Sequence, residues 1–260
     1  MSNDNLGDRM KGYEDVERKY LTKRLPTIIR IDGKAFHTFT KGFQKPFDMV
    51  LMESMWETAQ YLCSNVMGCK LAYVQSDEIS LLLTDYDTLT TQAWFDKNVQ
   101  KMCSIAASMA TMAFNKVFME RVKDYIHNNE LCQRLIDMVE VYNKKYHTAM
   151  FDSRVFTMPK EEVCNYFIWR QQDATRNAIQ MVGRANFSHK QLDMKNCNQI
   201  QEMLFQEKGI NFNDLPVYQK RGVCVVKEYY DKDGTERSRW IVHKDIPLFT
   251  QDRNYIEQYI

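Results

Sequence analysis

Two short apolar runs, residues 71–75 (LAYVQ) and 79–83 (ISLLL), are separated only by Ser76, Asp77 and Glu78. A polar triplet between two strand-length apolar runs reads as a β-hairpin, here with carboxylates at its tip. Upstream, residues 26–32 (PTIIRID) read as a buried strand opening at Pro26. Between them, residues 48–67 have helical spacing. Met52, Met55, Trp56, Ala59, Leu62, Cys63 and Val66 recur three and four apart, and Gly68 suits the C-cap. A strand–helix–strand connection makes the first two strands parallel and leaves a gap between them, which the third strand fills by folding back. That arrangement carries Asp32, at the end of the first strand, to the hairpin tip beside Asp77 and Glu78.

The rest of the chain continues the pattern. Residues 92–122 predict one long helix, rich in Ala, Ser and Met, apolar around most of its circumference and therefore largely buried. A more polar helix is expected over 129–145, then a strand over 150–158 stopped by Pro159. Helices near 160–182 and 196–208 precede a hairpin of residues 223–230 and 236–243 that turns at Asp233-Gly234. The order β-α-β-β-α-(α)-β predicts an α+β fold of ferredoxin-like, split βαβ type. The division expected is a palm-type catalytic domain over 1–158, with helices and a hairpin over 159–260 packed on it. A single domain is the alternative.

Composition narrows the function little. The 260 residues carry 35 basic and 34 acidic side chains, a net charge of +1. A protein that coats a nucleic-acid backbone would be more basic, although a local basic surface suffices to neutralise a few phosphates. The start, MSNDNLGDRMKG, lacks the apolar stretch of a signal peptide, and the chain reads as free of membrane-length apolar runs. Its seven cysteines are odd in number and form no CxxC pair, so they read as small buried residues in a reducing cytoplasm. The five histidines show no zinc-ligand spacing.

The convergence of Asp32 with Asp77 is what points to chemistry. Magnesium takes hard oxygen ligands, usually one or two carboxylates with phosphates and water. Two such ions can activate an attacking oxygen and stabilise a leaving one. Asp32, Asp77 and the carbonyl of Gly33 form a candidate ligand set for two magnesium ions, and Gly33 would let a triphosphate approach the backbone. Each acidic segment alone is also a good turn former. Candidate phosphate partners are Lys34, Lys41 and Lys45, with Lys97 and Lys101 spaced i, i+4 near the start of the long helix. On spacing alone, a solvated basic face explains that last pair as well or better. His37 follows Lys34 closely, and a packed histidine or a nucleotide contact fits equally. Trp169, Arg170, Gln171, Asp173, Arg176, Asn177 and Arg184 mix groups that grip exposed nucleic acid, but they also suit an ordinary amphipathic helix.

Longer segments carry a resemblance. IRIDGKAFHTFT (29–40), Lys45-Pro46 with Asp48, YVQSDEISLLL (73–83), SRVF (153–156), YFIWRQQDATRN (166–177) and EMLFQEKGINFNDLP (202–216) are similar to the tRNA-His guanylyltransferase family over nearly the whole chain. The resemblance implies a palm domain like that of ordinary polymerases and addition of nucleotides to the 5′ end of tRNA in the 3′-to-5′ direction. The 5′-monophosphate is first activated with ATP or GTP. It implies Asp32 and Asp77 as catalytic magnesium ligands with the Gly33 carbonyl, and Glu78 as support. Nucleotide contacts are implied along Gly33, Lys34, Ala35, Phe36 and His37, at Lys45, Asp48 and Ser76, and near Lys97 and Lys101. Arg170, Arg176, Asn177 and Asn211 are implied in tRNA binding or activation. A homotetramer, built as a dimer of dimers in the cytoplasm, is also implied.

One departure separates branches of the family. Eukaryotic members that add G to tRNA-His carry His-Ile-Asn-Asn after the Trp-Arg-Gln segment, where this chain has Thr175-Arg176-Asn177-Ala178. The pattern resembles the shorter guanylyltransferase-like branch, which restores missing 5′ nucleotides on truncated tRNAs by templated addition. Dedicated guanylylation of tRNA-His is the first alternative. A palm-type nucleotide cyclase and a non-catalytic RNA-binding module with a ferredoxin-like sheet are the others.

Overall fold

The computed structural model describes residues 5–260, so the first four residues of the expected catalytic domain and of the start read against a signal peptide lie outside the described residues. In chain order the elements are α1 (Leu6–Val16), β1 (Thr27–Gly33), α2 (Phe36–Phe39), α3 (Met49–Asn65), β2 (Cys69–Gln75), β3 (Glu78–Leu83) and α4 (Val99–His127). There follow α5 (Gln133–Asn143), β4 (Phe151–Thr157), α6 (Lys160–Asn186), α7 (His189–Leu192), α8 (Cys197–Lys208), α9 (Val217–Arg221), β5 (Val223–Lys232), β6 (Thr235–His243) and α10 (Asn254–Glu257). The fold mixes helices with one antiparallel sheet of six strands in the order β4-β1-β3-β2-β5-β6.

β3 pairs antiparallel with both β1 and β2, so it fills the gap between two parallel strands as the hairpin pattern required. Every residue of β3 is buried, as a central strand covered on both faces must be. On one face, Ile29, Ile31, Ile79 and Leu81 pack with Met55, Ala59 and Leu62 of α3 and Met102, Ala106 and Phe114 of α4. On the other, Ile28, Tyr73 and Leu82 pack with Val163 and Phe167 of α6. The terminal hairpin joins the same sheet, Leu71–Val74 of β2 pairing with Val223–Val226 of β5.

Four local expectations are corrected. The long helix starts at Val99 rather than near 92, because Phe95, Asp96 and Lys97 all adopt left-handed backbone, with φ of 48°, 52° and 60°, and break the helix before Asn98 caps it. The same helix is buried on one side only. Ala106, Ala110, Phe114 and Phe118 face the core while Ile105 and Met112 are exposed. Val99–His127 is in fact long and apolar enough to cross a membrane, with a mean hydropathy of 1.2 over its most apolar stretch, and the reading that the chain has no such run missed it. Its inner face packs against α3 and β4, the role of a core helix. Finally, α3 is C-capped by Val66, not Gly68. Gly68 instead takes φ +79° in the following turn, where a Cβ would come within 2.5 Å of the Thr84 carbonyl.

Candidate active site

The site forms where β1 ends against the β2–β3 hairpin. Asp32 pairs directly across from Glu78, and the next backbone N–H, from Gly33, donates to the Asp77 carbonyl at 3.1 Å. That bond ties the strand end to the hairpin tip. Ser76, at the tip, holds φ of 49°, and Ala35, just beyond Gly33, holds 53°. Left-handed backbone is costly for residues with a side chain and persists where the surroundings over-determine it. Both such residues flank the carboxylates.

Asp77 is half-buried. Burial and, after it, the negative charge of Asp32 push its carboxyl above the usual aspartate range, against hydrogen bonds from its own backbone and from Ser76. Among the described residues no lysine or arginine forms an ion pair with Asp32 or Asp77, and no three His, Cys, Asp or Glu side chains gather as a complete ligand cage. Two mutually repelling carboxylates without a cationic side chain fit a hard cation that draws its remaining ligands from carbonyl, phosphate and water.

Glu78 differs. One carboxylate oxygen lies 3.1 Å from Nε of Arg170 and the other 3.9 Å from Nε of Arg30. Burial still raises its pKa, with Arg170 and then Arg30 working against that. Arg170, buried on α6, also pairs with Asp173, which in turn pairs with Arg176. Arg170 is thus spent inside the protein, and of the residues read as RNA contacts Trp169, Arg176, Asn177 and Arg184 are the exposed ones on α6. Asn211 accepts from the Asn213 N–H and bonds Asp214, capping a short turn.

The residues read as nucleotide contacts divide. Lys34, Ala35, His37, Lys45 and Ser76 are exposed. Phe36 turns its ring inward against Phe39, Phe114 and Phe151, so only its backbone faces the site. A Cβ on Gly33 would sit 2.3 Å from that ring, which is a packing reason for glycine beside any nucleotide one. Asp48 is buried as the N-cap of α3, accepting from the N–H groups of Leu51 and Gln44 and from the Tyr142 hydroxyl. Its carboxylate edges a narrow, mainly apolar cleft of about 70 Å³ shared with Ser76, Asn177, Met181 and Tyr218.

The shared helical face expected of Lys97 and Lys101 is not present. Lys97 lies before the helix, and its buried ammonium donates to the carbonyls of Thr22 and Leu25 and pairs with Asp85 at 3.1 Å. Burial lowers its pKa while Asp85 raises it. Lys101 is exposed at the N-terminal end of α4. Both follow β3, which runs from Glu78 at the site to Leu83 at the far end of the sheet, so they belong to the end opposite Asp32 and Asp77. There Lys101 joins Arg18, Lys23 and Arg24 around a cavity of about 760 Å³.

Sequence reading missed Arg30 and Gln75 as neighbours of this site. The period of two along a strand could have found Arg30, since it shares a face with Asp32. Gln75 sits opposite Glu78 in the hairpin.

Against known proteins, the family described as tRNAHis guanylyltransferase matches residues 7–159. The chain belongs to the tRNAHis guanylyltransferase family. It is a nucleotidyltransferase, as members of that family are. A bacterial tRNA(His) guanylyltransferase-like protein in complex with ATP is 50% identical, with a TM-score of 0.85 over 98% of this chain and 99% of that one. A bacterial protein of the same description in complex with GTP is 48% identical, with a TM-score of 0.80 and the same coverage. The tRNA(His) guanylyltransferase of Debaryomyces hansenii is 28% identical over 226 residues, 82% of this chain and 77% of that protein. Within the family's matched region lie Asp32, Gly33, Asp77 and Glu78, while α6 and the terminal hairpin fall beyond it.

Proposed function

We propose that this tRNAHis guanylyltransferase-family enzyme repairs truncated tRNA. It adds nucleotides to the 5′ end in the 3′-to-5′ direction by templated pairing, after activation of the 5′-monophosphate with ATP or GTP. The observation that carries the reading is the pair Asp32–Asp77, tied through the Gly33-to-Asp77 backbone bond and left without a basic partner among the described residues. The order β4-β1-β3-β2, with helices packed on both faces, supports a ferredoxin-like palm, and we treat residues 1–158 as its catalytic part and 159–260 as the part packed against it.

Asp32, Asp77 and the Gly33 carbonyl would hold two magnesium ions, whose chemistry is to activate the attacking oxygen and stabilise the leaving one. Around them, the exposed Lys34 and Lys45 would neutralise phosphate, and the backbone at Ala35 and Ser76 would set how closely a triphosphate approaches. Glu78 would act by holding Arg30 and Arg170 in place beneath the site. The bound ATP and GTP of the bacterial relatives support nucleotide binding here. Asn177 beside the Ser76 cleft, together with Thr175-Arg176-Asn177-Ala178 in place of the eukaryotic motif, favours repair over dedicated addition of G to tRNA-His. We place the enzyme in the cytoplasm as a homotetramer, by analogy with the family.

The test is a 5′-extension assay with magnesium, ATP and all four nucleoside triphosphates on two RNAs. One is a 5′-monophosphorylated tRNA lacking its first nucleotide, the other an intact tRNA-His. Templated extension of the truncated RNA is expected. Addition only of G to tRNA-His would replace repair by guanylylation, and extension of neither would remove the polymerase reading.

A further inference from the structure

Along α6, Trp169, Asp173 and Arg176 share one side of the helix at spacings of four and three. Trp169 is 50% exposed, whereas Trp56 and Trp94 are buried. An indole left half in water forgoes apolar burial, and Trp in such a position suits contact with another molecule. Its surroundings are fixed. The Arg170 guanidinium lies over the ring 4.1 Å from its centroid, that of Arg30 lies at 6.0 Å, and the Tyr166 ring meets it edge-on at 5.9 Å. Arg170 is held by Glu78 and Asp173, and Glu78 stands directly across from Asp32. One guanidinium and one carboxylate therefore connect the indole to the strand end that carries Asp32.

The indole is also set apart from the cleft beside Ser76. That cleft takes Ala174, Asn177, Ala178 and Met181 from α6, centred roughly a third of a turn around the helix from the Trp169 side. A ring half exposed at the surface suits a base presented by a large molecule better than it suits a free nucleotide, which needs a concavity. Arg176, two turns further along the same side and 60% exposed at its side chain, is placed for a phosphate of the same strand.

We propose that Trp169 is the stacking platform for the terminal nucleobase of the RNA 5′ end. This rests on the reading above that an RNA 5′ end is the substrate. Stacking on an aromatic face accepts any base, which suits an end whose identity changes with each addition. Arg170 is then a positioning residue, holding the indole through its guanidinium face.

The test compares the wild type with Trp169→Ala and Trp169→Phe on a 5′-monophosphorylated truncated tRNA and on the same RNA made abasic at its first nucleotide. RNA Kd and the KM for the incoming nucleotide are both measured. Trp169→Ala is expected to weaken binding of the normal RNA roughly 5- to 100-fold. Trp169→Phe should recover most of that, the abasic RNA should bind all three proteins alike, and the nucleotide KM should stay unchanged. Equal losses on both RNAs, no loss on either, or an effect confined to the nucleotide KM would overturn the proposal. If the wild type extends neither the truncated tRNA nor an intact tRNA-His, the substrate reading itself falls, an outcome distinct from a platform that fails on an active enzyme.

Discussion

Asp77 and Glu78 are adjacent carboxylates at the same hairpin tip, yet the protein treats them in opposite ways. Glu78 opens β3, points to the α6 side of the sheet and lies between Arg170 and Arg30. Asp77, in the turn, has Asp32 as its charged neighbour and no basic partner among the described residues. A buried carboxylate with arginine partners is part of the packing, because removing it strands a buried guanidinium. A carboxylate kept beside another carboxylate, with no cation from the chain, makes sense where a cation arrives from outside. On the proposed reading, the difference separates a structural acid from a chemical one across a single peptide bond.

The largest effect expected from breaking this contrast is on activity. Asp77→Ala should reduce 5′ extension at least about 1,000-fold, some 4 kcal/mol in the barrier, while thermal melting shows a folded protein of near wild-type stability. A variant that unfolds, or one that extends RNA normally, would contradict the assignment. Glu78→Ala should show the reverse emphasis, losing about 1.5–3 kcal/mol in a urea titration because buried Arg170 loses one of its two acidic partners and keeps only Asp173. Retention of full stability would mean that the Glu78–Arg170 pair is dispensable.

A smaller effect sharpens the same network. Burial opposes ionisation of Asp173, but hydrogen bonds from Arg176 and Arg170 outweigh it and hold the carboxyl below its usual range. A depressed carboxyl contributes stability above its unfolded pKa, near 3.9, and loses it as pH falls through the lower folded value. Asp173→Asn should therefore cost about 1 kcal/mol at pH 7, a difference that shrinks as the pH drops below about 4. Urea titrations at both pH values check it, and a cost independent of pH would point to packing instead.

Much of this was legible in the chain. The alternation of apolar runs around Ser76-Asp77-Glu78 sufficed to place β3 between β1 and β2, because strand order follows from connection geometry and needs no distant side chain. What stayed hidden depended on contacts far apart in sequence. Nothing local to Glu78 announces Arg170 as its partner. Lys97 looked helical because none of Phe95, Asp96 and Lys97 is a glycine, yet the Thr22 and Leu25 carbonyls and Asp85 draw its ammonium inward and the backbone turns left-handed to allow it. Nothing local to Asp48 announces that its oxygens also serve α3, Gln44 and Tyr142. The exposed stripe Leu6, Met10 and Tyr13 on α1 shows only at helical spacing, in a segment too polar overall to announce a helix.

We propose that the uncompensated pair, Asp32 with Asp77, binds divalent cations while Glu78 does not. The most direct test is the binding of manganese, as a spectroscopic substitute for magnesium, followed by electron paramagnetic resonance with a non-hydrolysable ATP analogue present. Wild-type protein and Glu78→Gln should each bind about two ions per chain, and Asp77→Asn should lose most of that binding. Unchanged binding in Asp77→Asn, or its loss in Glu78→Gln alone, would contradict the account.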